Sequence, residues 1–468
     1  MKDSIIKEVT AAVGSENVLT TPEDRWTYAY DATDLAHLPD LVVFPGSAQE
    51  ISQILKLANR HGFPVTPRGA GTGRVGGSVP VAGGVVLVLT RMNRILEINE
   101  ADMVAVVEPG VITGRLKAAV AEHGLYYPPD PSSAEFCTIG GNVAAGAGGA
   151  VAVQYGVTRD YVLGLTVVLP TGEIMDAGTR TMKGVVGYDL TRLFLGSEGT
   201  LGVITRIVLR LVPKPASRQT LAAGFPTLEA AALAVGQILK AGLTPTALEF
   251  MDSATLSCVR EMLPFAVGPE VAALLLMAVD GHPRDVEERS RRMARLCREQ
   301  GARPVIRARE APEAERLWQA RKVISPALVK LKPQKVSEDV AVPLGAIPAL
   351  INALQKISRR RGLPILCYGH AGDGNIHVNV MYDRQVPKER EAVGPTVEDI
   401  FALVRQLQGT LSGEHGVGLT KAPYLRLELS EDAIALQQRL KQAFDPQNIM
   451  NPGKIFPRPG QRQVKSPG

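Results

Sequence analysis

Apolar residues recur at helical spacing over residues 49–62 (QEISQILKLANRHG), a stretch that closes on Gly62, and FPVTPRG after it reads as a short strand. The β-branched runs VVLVLT (85–90) and MVAVVEPG (103–110) predict two strands, and a helix over 112–123 ends on Gly124. YVLGLTVVLPTG and the run around GVITRIVLRLVP predict two more strands, bracketing a SEGT turn at 197–200. Lys214 then sits between Pro213 and Pro215, and the pattern changes. Beyond it, helices are expected at 226–241, 283–300, 312–331 and 345–361, and strands at 243–250, 270–279, 303–309, 335–342 and, as a pair, 364–382. That alternation predicts an antiparallel sheet with helices on one face, an α+β domain. The expected organisation is a first domain over 1–215, a second over 216–425, a segment at 426–456 returning to the first, and a loose tail at 457–468. Within the returning segment, FDPQNIMNPGKIF reads as a short helix and a docking stretch.

A chain of 468 residues holds two or three domains. Lys and Arg (52) exceed Asp and Glu (47) by five, spread without a basic block, which argues against nucleic acid as a partner. The opening MKDSIIKEVTAAVG has a helical apolar period and no signal-peptide core. The longest strongly apolar stretch, Val271 to Val279, falls far short of the roughly 20 residues that span a bilayer. Cys137, Cys258, Cys297 and Cys367 are scattered with no CxxC pair; they exclude an iron–sulfur site of the chain's own, suit a reducing cytoplasm and are expected as small core residues.

Glycine is abundant, at 46 residues, and clustered. PRGAGTGRVGGSVP contains Gly71-x-Gly73-x-x-Gly76, but a proline and a β-branched run follow where a dinucleotide fingerprint needs a helix, and no Lys-Ser/Thr pair makes it a Walker loop. What remains is a loop whose backbone N–H groups can approach an anion. A second block, PPDPSSAEFCTIGGNVAAGAGGA, and a third, LGSEGTLGVIT (195–205), follow. Three such loops in one domain cost chain entropy and make most sense as parts of one extended site.

Three of the seven histidines fall in two short motifs, GHAGDGNIHVNV (His370, His377) and SGEHGVG (His415). ILCYGH and IHVNVMY read as the arms of a hairpin that brings His370 and His377 together, with His377 and Asn379 on one face and Ile376, Val378 and Val380 on the other. With Glu414 from a distant loop, two imidazoles and a carboxylate suit a divalent metal; a buried polar network without an ion is the alternative.

PRGAGTGxxGG, PPDPSSxxxCTIGGNVA, YGxTRDYV and SEGTLGVIT resemble the flavin-binding domain of the FAD-linked oxidases of the vanillyl-alcohol oxidase type. From about residue 40 to 456 the chain is similar to the group of D-lactate dehydrogenase, D-2-hydroxyglutarate dehydrogenase and the glycolate oxidase large subunit. The resemblance implies a two-subdomain FAD-binding domain plus an α+β substrate (cap) domain with an antiparallel sheet. It implies FAD pyrophosphate on Gly69, Ala70, Gly71, Thr72 and Gly73, with Arg68, Gly76 and Ser78 in the same loop. Pro129, Asp130, Ser133, Thr138, Gly141 and Asn142 would line the flavin, and Glu198, Gly199 and Ile204 the adenosine side, with Asn451 also at the cofactor. No His stands in the first loop and Cys137 resembles a packing residue, so the FAD is expected to be noncovalent.

By the same resemblance His370, His377 and Glu414 ligate a divalent metal (Zn, Mn or Fe), Asn379 contacts substrate, His415 takes the hydroxyl proton, and Arg321 binds the substrate carboxylate. The Lys of 2-hydroxyglutarate-using relatives has no match unless Lys335 shifts by two, which disfavours a second carboxylate. The implied activity is oxidation of a D-2-hydroxy acid, D-lactate or glycolate, by a cytoplasmic enzyme, either free or peripheral to the inner membrane face through a partner. Electrons would pass to an iron–sulfur subunit, an electron-transfer flavoprotein, or a quinone or cytochrome. A D-2-hydroxyglutarate dehydrogenase and a noncatalytic flavin-carrying relay subunit of a multisubunit oxidase are the competing expectations; the relay subunit would keep the glycine loops and lose the metal ligands and base, whereas the full set is present here.

Overall fold

A computed structural model describes residues 1–457 of the chain; the tail expected beyond 457 lies outside them. The chain divides into two compact units. The first is built from three stretches, Met1–Gly148, Val157–Lys214 and a final stretch from Glu414, and the second from Gly149–Gly156 and Pro215–Gly413. The change of unit at Lys214/Pro215 falls at the proline-flanked lysine, whereas the return comes at Glu414, earlier than the 425/426 expected. Gly149–Gly156 goes with the second unit because Gln154 Nε2 and the Tyr155 hydroxyl both donate to Asp280, at 2.9 and 3.0 Å. Nothing in its small-residue sequence announces that.

In the first unit, a four-stranded sheet runs Val18–Leu19, Leu41–Val43, Val85–Val88, Val65–Arg68, with the last three strands parallel. The helix Ala48–His61 covers it. Ser47 caps this helix, its hydroxyl accepting from Glu50 N at 3.2 Å, and Gly62 ends it in the left-handed conformation (φ +71). Its apolar face, Ile51, Ile54, Leu55 and Ala58, packs with Val9, Val13, Leu41, Val65 and Leu87; each buried Ile or Leu contributes about 1.5–3 kcal/mol. An antiparallel five-stranded sheet, Ile95–Asn99, Val104–Val107, Val203–Arg210, Val162–Val168, Ile174–Gly178, forms the other half of the unit. No helix follows Gly76, in keeping with the proline and β-branched run there.

The second unit is a seven-stranded antiparallel sheet in the order Val305–Arg307, Ser217–Phe225, Ala273–Gly281, Ala247–Asp252, Ile365–His370, Asn375–Tyr382, Gln334–Ala341. The helix expected over 312–331 is broken into Ala311–Lys322 and Ile324–Ala327. Pro326 has no N–H and its ring crowds the carbonyl of Lys322, where the first piece stops. Two of the longer helices were hidden in the sequence. Pro387–Gln406 carries Pro395 after Gly394, a pair that reads as a breaker, and Glu431–Phe444 precedes the stretch where a short helix was expected. Residues 445–457 contain no helix; Asp445 instead accepts from Ile449 N and Met450 N at 3.0 and 2.8 Å. Among the described residues no helix is long and apolar enough to cross a membrane.

Candidate active site

The three glycine blocks of the first unit meet around one cavity of about 480 Å³. Arg68 to Gly73 and Ser78 line it from the first block, Ser133, Thr138, Gly141 and Asn142 from the second, and Glu198, Gly199 and Ile204 from the third. Glu414 and His415 line the same cavity. The glycines are needed there. Gly71 has φ +73, and a methyl group on it would collide with the Arg68 guanidinium. One on Gly69 would collide with the Thr138 hydroxyl, and one on Gly148 would come within 2.6 Å of the Glu414 carboxylate. Two loops and a turn thus approach at backbone distance, leaving a groove of N–H and small side chains for an elongated ligand.

The second block holds a helix that its small residues did not announce, Ile139–Ala145, capped by Thr138, whose hydroxyl accepts from Gly141 N at 3.2 Å. Asn142 Nδ2 donates to the Thr113 hydroxyl at 2.8 Å, tying the helix to the unit's interior. Arg68 is buried and donates to Tyr30 O at 2.6 Å. Burial lowers its pKa against the opposing pull of Asp31, and burial raises that of Asp31. Asp31 also lines the cavity, in a segment with no motif that could have pointed to it.

Glu198 is the hinge of the third block. It sits at φ +52, buried, with one carboxylate oxygen accepting from Val417 N (2.7 Å) and Gly418 N (3.1 Å). The same side chain therefore lines the cavity and fastens the SGEHGVG turn. Its other oxygen, Oε2, is buried with no partner among the described residues, a group that a ligand hydroxyl would satisfy. Burial raises its pKa, and the two amides pull the other way. Glu414 and His415 lie side by side on this turn, His415 Nε2 4.0 Å from the Glu414 carboxylate.

Four residues expected at the cofactor lie off the cavity wall. Gly76 (φ +77) turns the chain against Leu419, Pro129 and Asp130 stand outside the lining, and Asp130 pairs with Lys117. Asn451 stands behind the wall, its Nδ2 donating to Gly77 O and Glu198 O at 2.8 and 2.7 Å. Cys137 lines the cavity and is buried, as are all four cysteines.

In the second unit the hairpin forms as its pattern predicts, with Tyr368 opposite His377 and His370 opposite Asn375. The two imidazoles stand 5.2 Å apart, centroid to centroid, nearly perpendicular. Asn379 is fully buried; its Nδ2 donates to His377 O at 3.3 Å and its Oδ1 has no partner among the described residues. Arg321 projects from the helix Ala311–Lys322 and stacks over the Tyr368 ring, 4.9 Å from the centroid. In this unit sequence reasoning missed Glu249. Fully buried in a central strand, it meets His370 Nδ1 at 2.5 Å and Arg321 Nε at 2.6 Å. Burial pushes its pKa up, and Arg321 and His370 more than offset that, so the net shift is downward. Its one sequence signal is a carboxylate in the middle of the otherwise apolar run ALEFM.

The histidine pair fits a divalent metal: the acceptor on His370 Nδ1 leaves Nε2 to coordinate. Glu414, the third expected ligand, follows Gly413 at the point where the chain changes unit.

Comparisons with known proteins point the same way. Residues 214–455 match the model for the C-terminal domain of FAD linked oxidases, and residues 39–178 match that of an FAD binding domain. The glycolate oxidase subunit GlcD of Bacillus subtilis is 42% identical over 452 residues, 96% of either chain. A D-lactate dehydrogenase of Anaerostipes hadrus is 36% identical over 89% of either chain. Among solved structures, p-cresol methylhydroxylase with substrate bound superposes with a TM-score of 0.81 at 18% identity over 97% of either chain, a likeness of fold.

Proposed function

This chain belongs to the FAD-linked oxidases, and from that premise we propose that it is an FAD-dependent dehydrogenase converting a D-2-hydroxy acid, D-lactate or glycolate, to the 2-oxo acid. The observation that carries the reading is that His415 lines the same cavity as the three glycine blocks. A base beside the flavin site is what oxidation of an alcohol carbon requires.

Bound FAD would supply the hydride acceptor for the hydrogen on C2 of the substrate. The chain's own residues do the rest. Backbone N–H groups of Gly69 to Gly73 receive the pyrophosphate, and the cofactor is held without a covalent bond. His415 takes the hydroxyl proton, so that electron pair and proton leave in different directions; an imidazole suits that transfer near neutral pH. Arg321 presents its remaining guanidinium N–H groups to the substrate carboxylate, a fork that Lys cannot offer. Asn379 supplies a buried amide as a further substrate contact. His370, His377 and Glu414 would hold a divalent metal (Zn, Mn or Fe), whose charge lowers the pKa of a bound hydroxyl.

Lys335 donates to the carbonyl and hydroxyl of Ser325, at 2.8 and 2.5 Å. That engagement favours a small substrate over one with a second carboxylate. The scaffold alternative is disfavoured by the bonded set Glu249, His370 and Arg321, which has no use in a mere flavin carrier. Since a relative is named a subunit of glycolate oxidase, electrons are proposed to leave through a partner: an iron–sulfur subunit, an electron-transfer flavoprotein, or a quinone or cytochrome. The test is anaerobic flavin reduction by a panel of D- and L-2-hydroxy acids, with and without chelator. Bleaching by D-lactate or glycolate that chelator slows is expected; an unchanged flavin spectrum with every acid would refute the reading.

A further inference from the structure

We propose that Glu249 is a positioning residue for this oxidation, one carboxylate whose two oxygens set the His370 ring and the Arg321 guanidinium in a common register. The proposal rests on the functional reading above, since it assigns His370 to a metal and Arg321 to the substrate.

The geometry is specific. Glu249 pairs directly opposite His370 in the sheet, so both side chains rise from the same face, and neither needs a long reach. Glu249 has no exposed surface, and its oxygens are divided between Nδ1 of His370 (2.5 Å) and Nε of Arg321 (2.6 Å). Beside a permanently charged guanidinium the carboxylate is ionised and can only accept. The hydrogen of His370 is therefore fixed on Nδ1, which leaves the lone pair on Nε2 for a metal and fixes the plane of the ring. On the other side Arg321 spends its Nε on Glu249 and rests on Tyr368, so its terminal N–H groups keep one orientation. Leu248, Phe250 and Met251, the strand neighbours, are buried apolar side chains, so packing alone gives no reason for a charge at this position.

Glu249→Gln keeps the size and removes the symmetry. An amide has one oxygen and one NH2. If the NH2 faces His370, it donates to Nδ1 and moves the ring hydrogen to Nε2, blocking the ligand; if it faces Arg321, two donors oppose each other. The readouts are Mn2+ affinity by chelator competition, KM and kcat for D-lactate and glycolate, and the flavin absorption and far-UV circular dichroism of the FAD-loaded protein. The variant is expected to bind Mn2+ about 10–100-fold more weakly, with a raised KM, kcat partly restored at saturating Mn2+, and unchanged spectra. Arg321→Lys, which keeps a cation beside Glu249 but loses the fork, should raise KM far more than it weakens Mn2+ binding.

Wild-type Mn2+ affinity and KM in Glu249→Gln would overturn the proposal. So would a loss of turnover with metal affinity intact. Should that variant fail to fold, Glu249→Asp, whose shorter arm cannot span both partners, is measured the same way, and wild-type values there overturn the proposal equally. A wild-type protein that neither binds Mn2+ nor shows flavin bleaching with any 2-hydroxy acid would instead sink the functional reading, and the role of Glu249 with it.

Discussion

Gly69→Ala tests whether the first two glycine blocks form one cofactor wall. Gly69 and Thr138 approach so closely that the added methyl meets the Thr138 hydroxyl, with Thr138 Cβ at 3.6 Å and Gly141 Cα at 3.8 Å beyond it. The least costly escape is rotation of the Thr138 side chain, which breaks its cap on the helix Ile139–Ala145. Loss of such a cap costs about 1 kcal/mol. If Thr138 stays, the loops must part, and overpacking of this kind costs about 1–3 kcal/mol. Either way the strain falls on the cavity wall, so the FAD dissociation constant should rise roughly 5- to 150-fold at 1.4 kcal/mol per tenfold. The assay is FAD rebinding to the apoprotein, followed by flavin fluorescence. Gly62→Ala serves as the comparison: Gly62 has φ +71 but open space around its Cβ position, so that variant loses stability and keeps its FAD affinity. Equal FAD affinity in Gly69→Ala and wild type would refute the shared wall.

Three further outcomes are expected. His415→Gln should lower the rate of flavin reduction about 10²- to 10⁴-fold with FAD content unchanged; a rate near wild type would remove His415 as the base. His377→Ala should abolish both Mn2+ binding and its effect on the rate while FAD stays bound, and retained Mn2+ affinity would dismiss the histidine pair as ligands. Burial raises the Asp252 carboxyl from 3.8 to about 6. Well below pH 3.8 it is neutral folded and unfolded; as pH rises from there the unfolded form ionises first, and stability falls by about 3 kcal/mol in all once pH passes about 6. Urea unfolding of wild type and Asp252→Asn at pH 4 and pH 7 measures this; a gap between the two proteins that is the same at both pH values would refute it.

Local signals survived the passage from sequence to structure, and long-range ones did not. The helix Ala48–His61 carries its own start and stop in Ser47 and Gly62, and the hairpin at His370 and His377 carries its own turn. Both depend only on residues adjacent in the chain. Glu249 lies 121 residues from His370 and 72 from Arg321, and only the strand order of the sheet brings them together. Gly394 and Pro395 concealed a helix because packing outweighed the local cost of a proline. The motif residues of the glycine blocks were legible as a set, yet Gly76 and Asn451 shape the wall from behind it. Sequence identity names a motif's members without saying which side of the backbone they serve.

The strand Val65–Arg68, which delivers Arg68 to the first block, receives its outer partner from the far end of the chain: Val65 N donates to Ile449 O at 2.8 Å, and Asn451 N to Val65 O at 2.8 Å. A nascent polypeptide therefore emerges from the ribosome with that edge bare until residues 449–451 have been synthesised. Assembly of the flavin-holding half must wait for residues 449–451, while Pro215–Gly413 has every strand of its own sheet in hand beforehand. Truncation before residue 449 should then be as damaging to cofactor retention as lesions in the glycine loops themselves.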